Sequence, residues 1–235
     1  MSDRTNPSPE EEREKRETAE ERESAALREN AAVRENYSRT LRAILWIIRF
    51  FWRVKVHGKE NIPEEENFIA CANHISIFDI PVLSGSMPEK SLRYMAKKEL
   101  FSTGLGRRFF GGFGAYPVDR GKGDVAAIKT AISLLREGET LAIFPQGHRY
   151  PGVDPRETEV RGGAMLIAKR AGAKLLPVYL KTKKNRCRIF RPVEVYIGRA
   201  CDAAALVEEA GGSVTEAMKR FFDRTCEMGE TGEWN

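Results

Sequence analysis

Paired cysteines are what this sequence lacks first. Four cysteines occur, Cys71, Cys187, Cys201 and Cys226. No two form a CxxC pair, and none stands with a histidine at zinc-ligand spacing. A disulfide framework and a structural metal are therefore not expected, and the compartment reads as reducing. Cys71 lies in an apolar run and reads as a buried thiol. The chain opens on charge rather than on an apolar leader, so no secretory signal is expected. No run is long and apolar enough to span a bilayer, which takes about 20 residues. The most apolar stretch, Leu41 to Trp52, is interrupted by Arg42 and Arg49. Glu10 to Asn36 lacks an apolar stripe: it is dense in Glu, Arg and Ala, with no apolar residue larger than Leu27 and Val33. Helix formers without a face to bury predict a solvated extension over residues 1–36, partly helical or disordered. There is no internal repeat. The glycines at 104, 106, 111 and 112 match neither a dinucleotide-binding nor a P-loop pattern.

Acid is missing from the next segment. Tyr37 to Lys55 holds five basic residues and no Asp or Glu. On a helical wheel of about 100° per residue, Arg39, Arg42, Arg49 and Arg53 share one arc. Ile44, Ile47, Ile48 and Phe51 fall opposite, with Trp46, Phe50 and Trp52 toward the flanks. Residues 37–55 are thus predicted to be an amphipathic interfacial helix. Arg39, Arg42, Trp46, Arg49, Phe51, Trp52 and Arg53 are its candidate contacts with anionic lipid. The alternative is an ordinary amphipathic helix packed on the domain. The membrane reading places the protein on the cytoplasmic face of a membrane, peripheral or monotopic. Residues 1–36 carry 7 basic and 11 acidic residues, a net of −4, so the chain's +5 leaves about +9 on the rest. A basic body suits an anionic surface or substrate. Nucleic acid is not an expected partner, because aromatics interleaved with base-reading residues are absent outside the membrane-like segment.

The third part, residues 56–235, is predicted to be one catalytic domain. Short apolar strands alternate with helical stretches. Strands are expected at 54–57, 68–72, 92–96, 115–118, 141–144, 175–180 and 193–197. Helices are expected at 80–86, 98–108, 123–137, 162–171 and 214–228. The pattern predicts an α/β fold: a mostly parallel or mixed sheet of about seven strands, flanked by helices.

Chemistry-bearing residues cluster where strands end. After the strand 68–72 comes Asn73-His74-Ile75-Ser76-Ile77-Phe78-Asp79. His74 can accept a proton near neutral pH, and Asp79 can hold the imidazole in one tautomer. Five positions along one continuous helix would set them about 140° apart, so a pair requires a turn between them. The plain alternative is that both merely brace a loop. Ser76 is near, but no G-x-S-x-G elbow surrounds it, so the substrate is expected to supply the nucleophilic hydroxyl. A second block, Gly114 to Arg120, is followed by Gly121-Lys122-Gly123. Arg120 and Lys122 can grip phosphate oxygens, or belong to a surface turn. A third, Phe144-Pro145-Gln146-Gly147-His148-Arg149, adds Arg149, and Gly147 lets backbone approach a ligand. Arg161 follows, before a helix N-terminus that can face an anion. A fourth, Leu176-Pro177-Val178-Tyr179-Leu180, reads as the wall of an apolar groove.

These four blocks, in this order, resemble the lysophosphatidic acid acyltransferase family of glycerolipid acyltransferases. Residues 73–79 match its NHxxxxD block, and residues 144–149 resemble its FPEGTR block. The resemblance implies His74 as general base on the acceptor hydroxyl, Asp79 as its orienter, and Arg120 and Arg149 as phosphate ligands. Asn73, Lys122, Gln146, Gly147 and Arg161 complete the expected substrate-binding set, and backbone amides around Gly147 are candidate oxyanion donors. No cofactor is expected, the acyl thioester of acyl carrier protein or coenzyme A being a co-substrate. The implied acceptor is 1-acylglycerol-3-phosphate and the implied product phosphatidic acid. Gln146 replaces the family's usual Glu and His148 its usual Thr, which leaves another lysolipid acceptor open. A His/Asp thioester hydrolase and a catalytically silent membrane-binding module are the other readings.

Overall fold

The structure, a computed structural model, describes residues 51–64, 67–118, 125–188 and 190–234. The expected strands all form, with small shifts at their ends: β1 (Val54–His57), β2 (Phe68–Ala72), β3 (Leu92–Lys97), β4 (Ala115–Val118), β5 (Thr140–Ile143), β6 (Lys174–Thr182) and β7 (Val193–Ile197). A short β8 (Cys201–Asp202) was not expected. The sheet order is β1-β7-β6-β2-β5-β3-β4, with β8 on β6. β6, β2, β5, β3 and β4 run parallel to one another. β7 lies antiparallel to β6 and parallel to β1. The fold is therefore α/β with a mixed, largely parallel sheet, as the alternation predicts.

Side-chain alternation along the strands builds two cores. Ile69 and Cys71 of β2 face one layer, with Leu141, Leu175 and helices α3 (Val125–Arg136), α4 (Gly163–Ala171), α5 (Ala203–Glu209) and α6 (Val214–Thr231). Phe68, Ala70 and Ala72 face the other, with Leu176, Val178 and helix α1 (Asp79–Ser86). β2 is buried along its whole length, as a central parallel strand must be. Cys71 is buried as expected, and burial pushes its thiol well above the ordinary range.

Three details differ from the sequence expectation. The predicted helix at 98–108 divides into a single 3₁₀ turn, Lys98–Phe101, and α2 (Gly104–Gly112). Thr103 divides them: its hydroxyl caps α2 by accepting the Gly106 N–H at 3.0 Å. Helix α5 was not expected, although Asp202 caps it through the Ala205 N–H at 2.8 Å and its residues are Ala, Leu, Val and Glu. The predicted interfacial helix 37–55 lies mostly outside the described residues, including Arg39, Arg42, Trp46 and Arg49. Its C-terminal end is not helical, because Val54 and Lys55 pair with Val193 and Glu194 in the sheet. Trp52, expected at lipid, is only 4% exposed and packs in the second core. Its ring meets Phe78 with centroids 4.6 Å apart, so the fold rather than a bilayer takes it from water. Phe51 is half-buried and Arg53 exposed. Among the described residues no helix is long and apolar enough to cross a membrane.

Candidate active site

β2 and β5 are parallel neighbours, so the segments leaving their C-terminal ends emerge side by side. The first carries residues 73–79 and the second residues 144–149. This is the edge where open α/β sheets place ligands.

The turn between His74 and Asp79 closes on the carboxylate. Oδ2 of Asp79 lies 2.7 Å from His74 Nδ1. The same oxygen accepts the backbone N–H of Ile75 at 2.6 Å and of Ser76 at 2.7 Å. Asp79 is also the first residue of α1, where a carboxylate is favoured. Three donors on one oxygen fix the carboxylate, and the carboxylate fixes the imidazole edge. The opposite constraint comes from Phe144, whose ring stacks on His74 at 4.0 Å and 12°. His74 keeps 16% of its side chain exposed while Asp79 keeps 3%. The imidazole is thus the part of the pair that a solute can reach.

Two expected substrate ligands turn out to be braces. Asn73 is completely buried: its Nδ2 donates to the Leu180 carbonyl at 3.1 Å and its Oδ1 accepts the Leu180 N–H at 2.7 Å. The side-chain amide pairs with β6 as a strand residue would, and burial closes both of its polar atoms to solvent. Gln146 is 1% exposed. Its Oε1 accepts the His74 backbone N–H at 2.6 Å, and its Nε2 donates to Thr158 Oγ1 at 2.6 Å. The Thr158 hydroxyl in turn donates to the Pro155 carbonyl at 2.6 Å. Because that proton is engaged, the Thr158 oxygen acts as an acceptor, and an amide meets it where a carboxylate would not. Gln146 therefore joins the third block to the first through the His74 backbone and lies closed to solvent. The Tyr150 N–H completes the link, donating to the His74 carbonyl at 2.9 Å.

Gly147 has φ +71°, a conformation glycine adopts without Cβ strain. Its own N–H donates to the Phe144 carbonyl at 3.0 Å and is not free for an oxyanion. The Arg161 side chain lies over it: a Cβ on Gly147 would come within 3.6 Å of Arg161 Nε. The Arg161 N–H donates to the Pro145 carbonyl at 2.9 Å, which ties the two segments together. Arg149, Arg161 and His148 are all exposed. Arg120 and Lys122 lie outside the described residues, two and four positions beyond Val118 at the end of β4. The structure thus brings together His74, Asp79, Asn73, Gln146, Gly147, Arg149 and Arg161, with His74, Asp79 and Gln146 forming one hydrogen-bonded unit and Asn73 tied instead to Leu180.

Three neighbours were not anticipated. Thr158 and Tyr150 act through hydrogen bonds that no sequence pattern announces. Cys187 lies near Asp79 and Ser76; burial pushes its thiol up to about 11, and the Asp79 charge adds to the shift. Such a thiol is a poor nucleophile near neutral pH.

An acyltransferase family model matches residues 53–181, more than half the chain. The 1-acyl-sn-glycerol-3-phosphate acyltransferase of Bacillus subtilis is 30% identical over 78% of this chain and 94% of its own. The enzyme of that name from Streptococcus pneumoniae is 35% identical over 80% of this chain and 73% of its own. The crystal structure of the 1-acyl-sn-glycerophosphate (LPA) acyltransferase from Thermotoga maritima superposes with a TM-score of 0.60 at 26% identity, covering 88% of this chain and 81% of that one. The strand-end His–Asp pair and these likenesses agree: the chain belongs to the acyltransferase family, with the 1-acyl-sn-glycerol-3-phosphate acyltransferases.

Proposed function

We propose that the chain transfers a fatty acyl group from a thioester of acyl carrier protein or coenzyme A to the free hydroxyl of 1-acylglycerol-3-phosphate. The product is phosphatidic acid. The observation that carries this reading is the His74–Asp79 pair at 2.7 Å with, among the described residues, no competent protein nucleophile beside it. The Cys187 thiol is raised, and the Ser76 hydroxyl accepts the Phe78 N–H at 3.2 Å in a local turn. With Nδ1–H donating to Asp79, Nε2 of His74 carries the lone pair. It takes the proton of the acceptor hydroxyl as that oxygen attacks the thioester carbonyl. The tetrahedral intermediate then collapses: the C–S bond breaks, the ester remains, and the imidazolium returns its proton to the leaving thiolate. Arg149 and Arg161, with Arg120 and Lys122, are the proposed clamp on the acceptor phosphate, holding the hydroxyl in an attacking pose. The reaction needs no cofactor.

The protein is proposed to work on the cytoplasmic face of a membrane, on anionic lipid, through the basic, aromatic run that ends at Arg53. A different lysolipid acceptor remains the second reading, but its support is narrower than the sequence suggests. Gln146 is buried and hydrogen-bonded inside the protein, which favours the exposed His148 as the departure able to meet a head group.

The test is thioester consumption by the purified protein on phosphatidylglycerol–phosphatidylcholine vesicles, with and without lysophosphatidic acid. Turnover that requires the acceptor, with phosphatidic acid as product, is the expected result. Equal thioester loss without acceptor would make the protein a hydrolase. Turnover only with other lysolipids would keep the chemistry and change the substrate.

A further inference from the structure

The connection from β6 to β7 is strongly basic. Between Lys183 and Arg191 it carries five cations, Lys183, Lys184, Arg186, Arg188 and Arg191, and no acid. All five are exposed. Phe190 near its end is 64% exposed and has φ +62°. Both features count against phenylalanine in water. A bulky residue is strained in the left-handed region, and the ring stays largely unburied, while glycine or asparagine would meet neither cost. A position of this kind suits a setting that removes the ring from water.

Its neighbours describe that setting. The Phe190 N–H donates to the Phe51 carbonyl at 2.8 Å, and the two rings lie 5.5 Å apart. Phe51 is where the chain arrives from the acid-free run that begins at Tyr37. Phe51 also meets Trp52, which meets Phe78, and Phe78 and Ile77 are exposed large apolar residues inside the His74–Asp79 turn. Cys187, in the same connection, lies near Asp79 and Ser76. Cations and exposed apolar side chains therefore border the candidate site together.

We infer that the Lys183–Arg191 connection is a lipid-contact element. It seats Phe190 below the head groups of an anionic bilayer while its lysines and arginines meet the phosphates, and so turns the His74 edge toward the surface that holds the acceptor. The inference deepens the acyltransferase reading, but lipid binding needs no turnover, so the two fail separately. A bilayer fits better than an acidic carrier protein. Carrier docking needs the cations alone, whereas Phe190, Ile77 and Phe78 require an apolar medium that accepts them without a shaped pocket.

The test is co-sedimentation of the full chain with phosphatidylglycerol–phosphatidylcholine vesicles across lipid concentration. Phe190→Gly relaxes the strained backbone, so its thermal midpoint should equal or exceed that of the unaltered chain. Its vesicle partition should weaken about tenfold or more. Arg188→Gln with Arg191→Gln should weaken partition by about fivefold for each charge removed, and only on vesicles containing phosphatidylglycerol. Unchanged partition in both variants, with the fold intact, would overturn the inference. So would arginine variants that bind vesicles normally but show a raised KM for an acyl carrier protein thioester, since the connection would then be a carrier dock.

Discussion

Asn73, Asp79 and Gln146 are buried, and each hydrogen-bonds inside the protein. Arg149, Arg161 and the five cations of the Lys183–Arg191 connection are exposed. The two regions border the same His74. In the first, a displaced donor or acceptor would leave a polar atom unpaired away from water, which costs about 1–3 kcal/mol. Position is therefore held tightly there. In the second, long cationic side chains stay hydrated until a ligand arrives, so holding them in place contributes little to stability. The His74 geometry is built from interior hydrogen bonds, and the proposed recognition falls to side chains that can adapt.

The difference can be broken at four points, taken in falling order of effect. His74→Ala removes the proposed base and should lower kcat for acceptor-dependent transfer by about 10²–10⁴-fold. Thermal unfolding should move little, because the ring is on the reachable side of the pair. Arg149→Ala removes a charge-assisted contact and should raise the KM for lysophosphatidic acid by roughly ten- to a hundredfold. Its kcat and urea midpoint should stay near those of the unaltered chain. Gln146→Leu should do the reverse. The His74 N–H loses its acceptor and the Thr158 oxygen its donor, so kcat should fall about tenfold and stability by about 1–3 kcal/mol. The KM for the acceptor should hold, and a rise in KM alone would return Gln146 to the substrate-binding set. Arg156→Ala is the surface baseline. The Arg156 guanidinium holds the Asp154 carboxyl below its usual range through a hydrogen bond and an ion pair that also reaches Glu230. A depressed folded value stabilises above the unfolded carboxylate range and loses that effect as pH falls through the folded value. Arg156→Ala should therefore cost under about 1 kcal/mol near neutral pH, and the deficit should shrink in acid. Urea titrations at both pH values measure it.

The expected strands are all present because their residues form apolar runs bounded by Gly, Pro or charge, and a buried parallel strand needs little more. His74 and Asp79 were legible for a similar reason: a polar pair leaving a buried strand has few other uses. Asn73 and Gln146 read as ligands from the sequence, and the structure buries both in internal hydrogen bonds. Their amides serve substrate and backbone equally well, and only the partner separates the uses. For Asn73 that partner is Leu180, on another strand. For Gln146 it is the His74 backbone and Thr158. Trp52 was assigned to lipid by its helical phase, but phase does not state which medium covers the ring, and here Phe78 helps to do so. The Lys183–Arg191 connection is not legible in the sequence, because a run of charge is ordinarily a solvated surface. What marks it is the φ of Phe190, and no pattern of residue types encodes a single φ.

Periodicity, strand-end chemistry and block order determined the α/β class, the His–Asp pair and the family resemblance, since each is a property of residue types at fixed spacing along one segment. Tertiary structure decided which polar side chains near His74 stay exposed and which are buried as braces. It also decided which aromatic rings enter the core. A hydrogen bond and a buried face each need a partner from another part of the chain, and only folding brings that partner within reach.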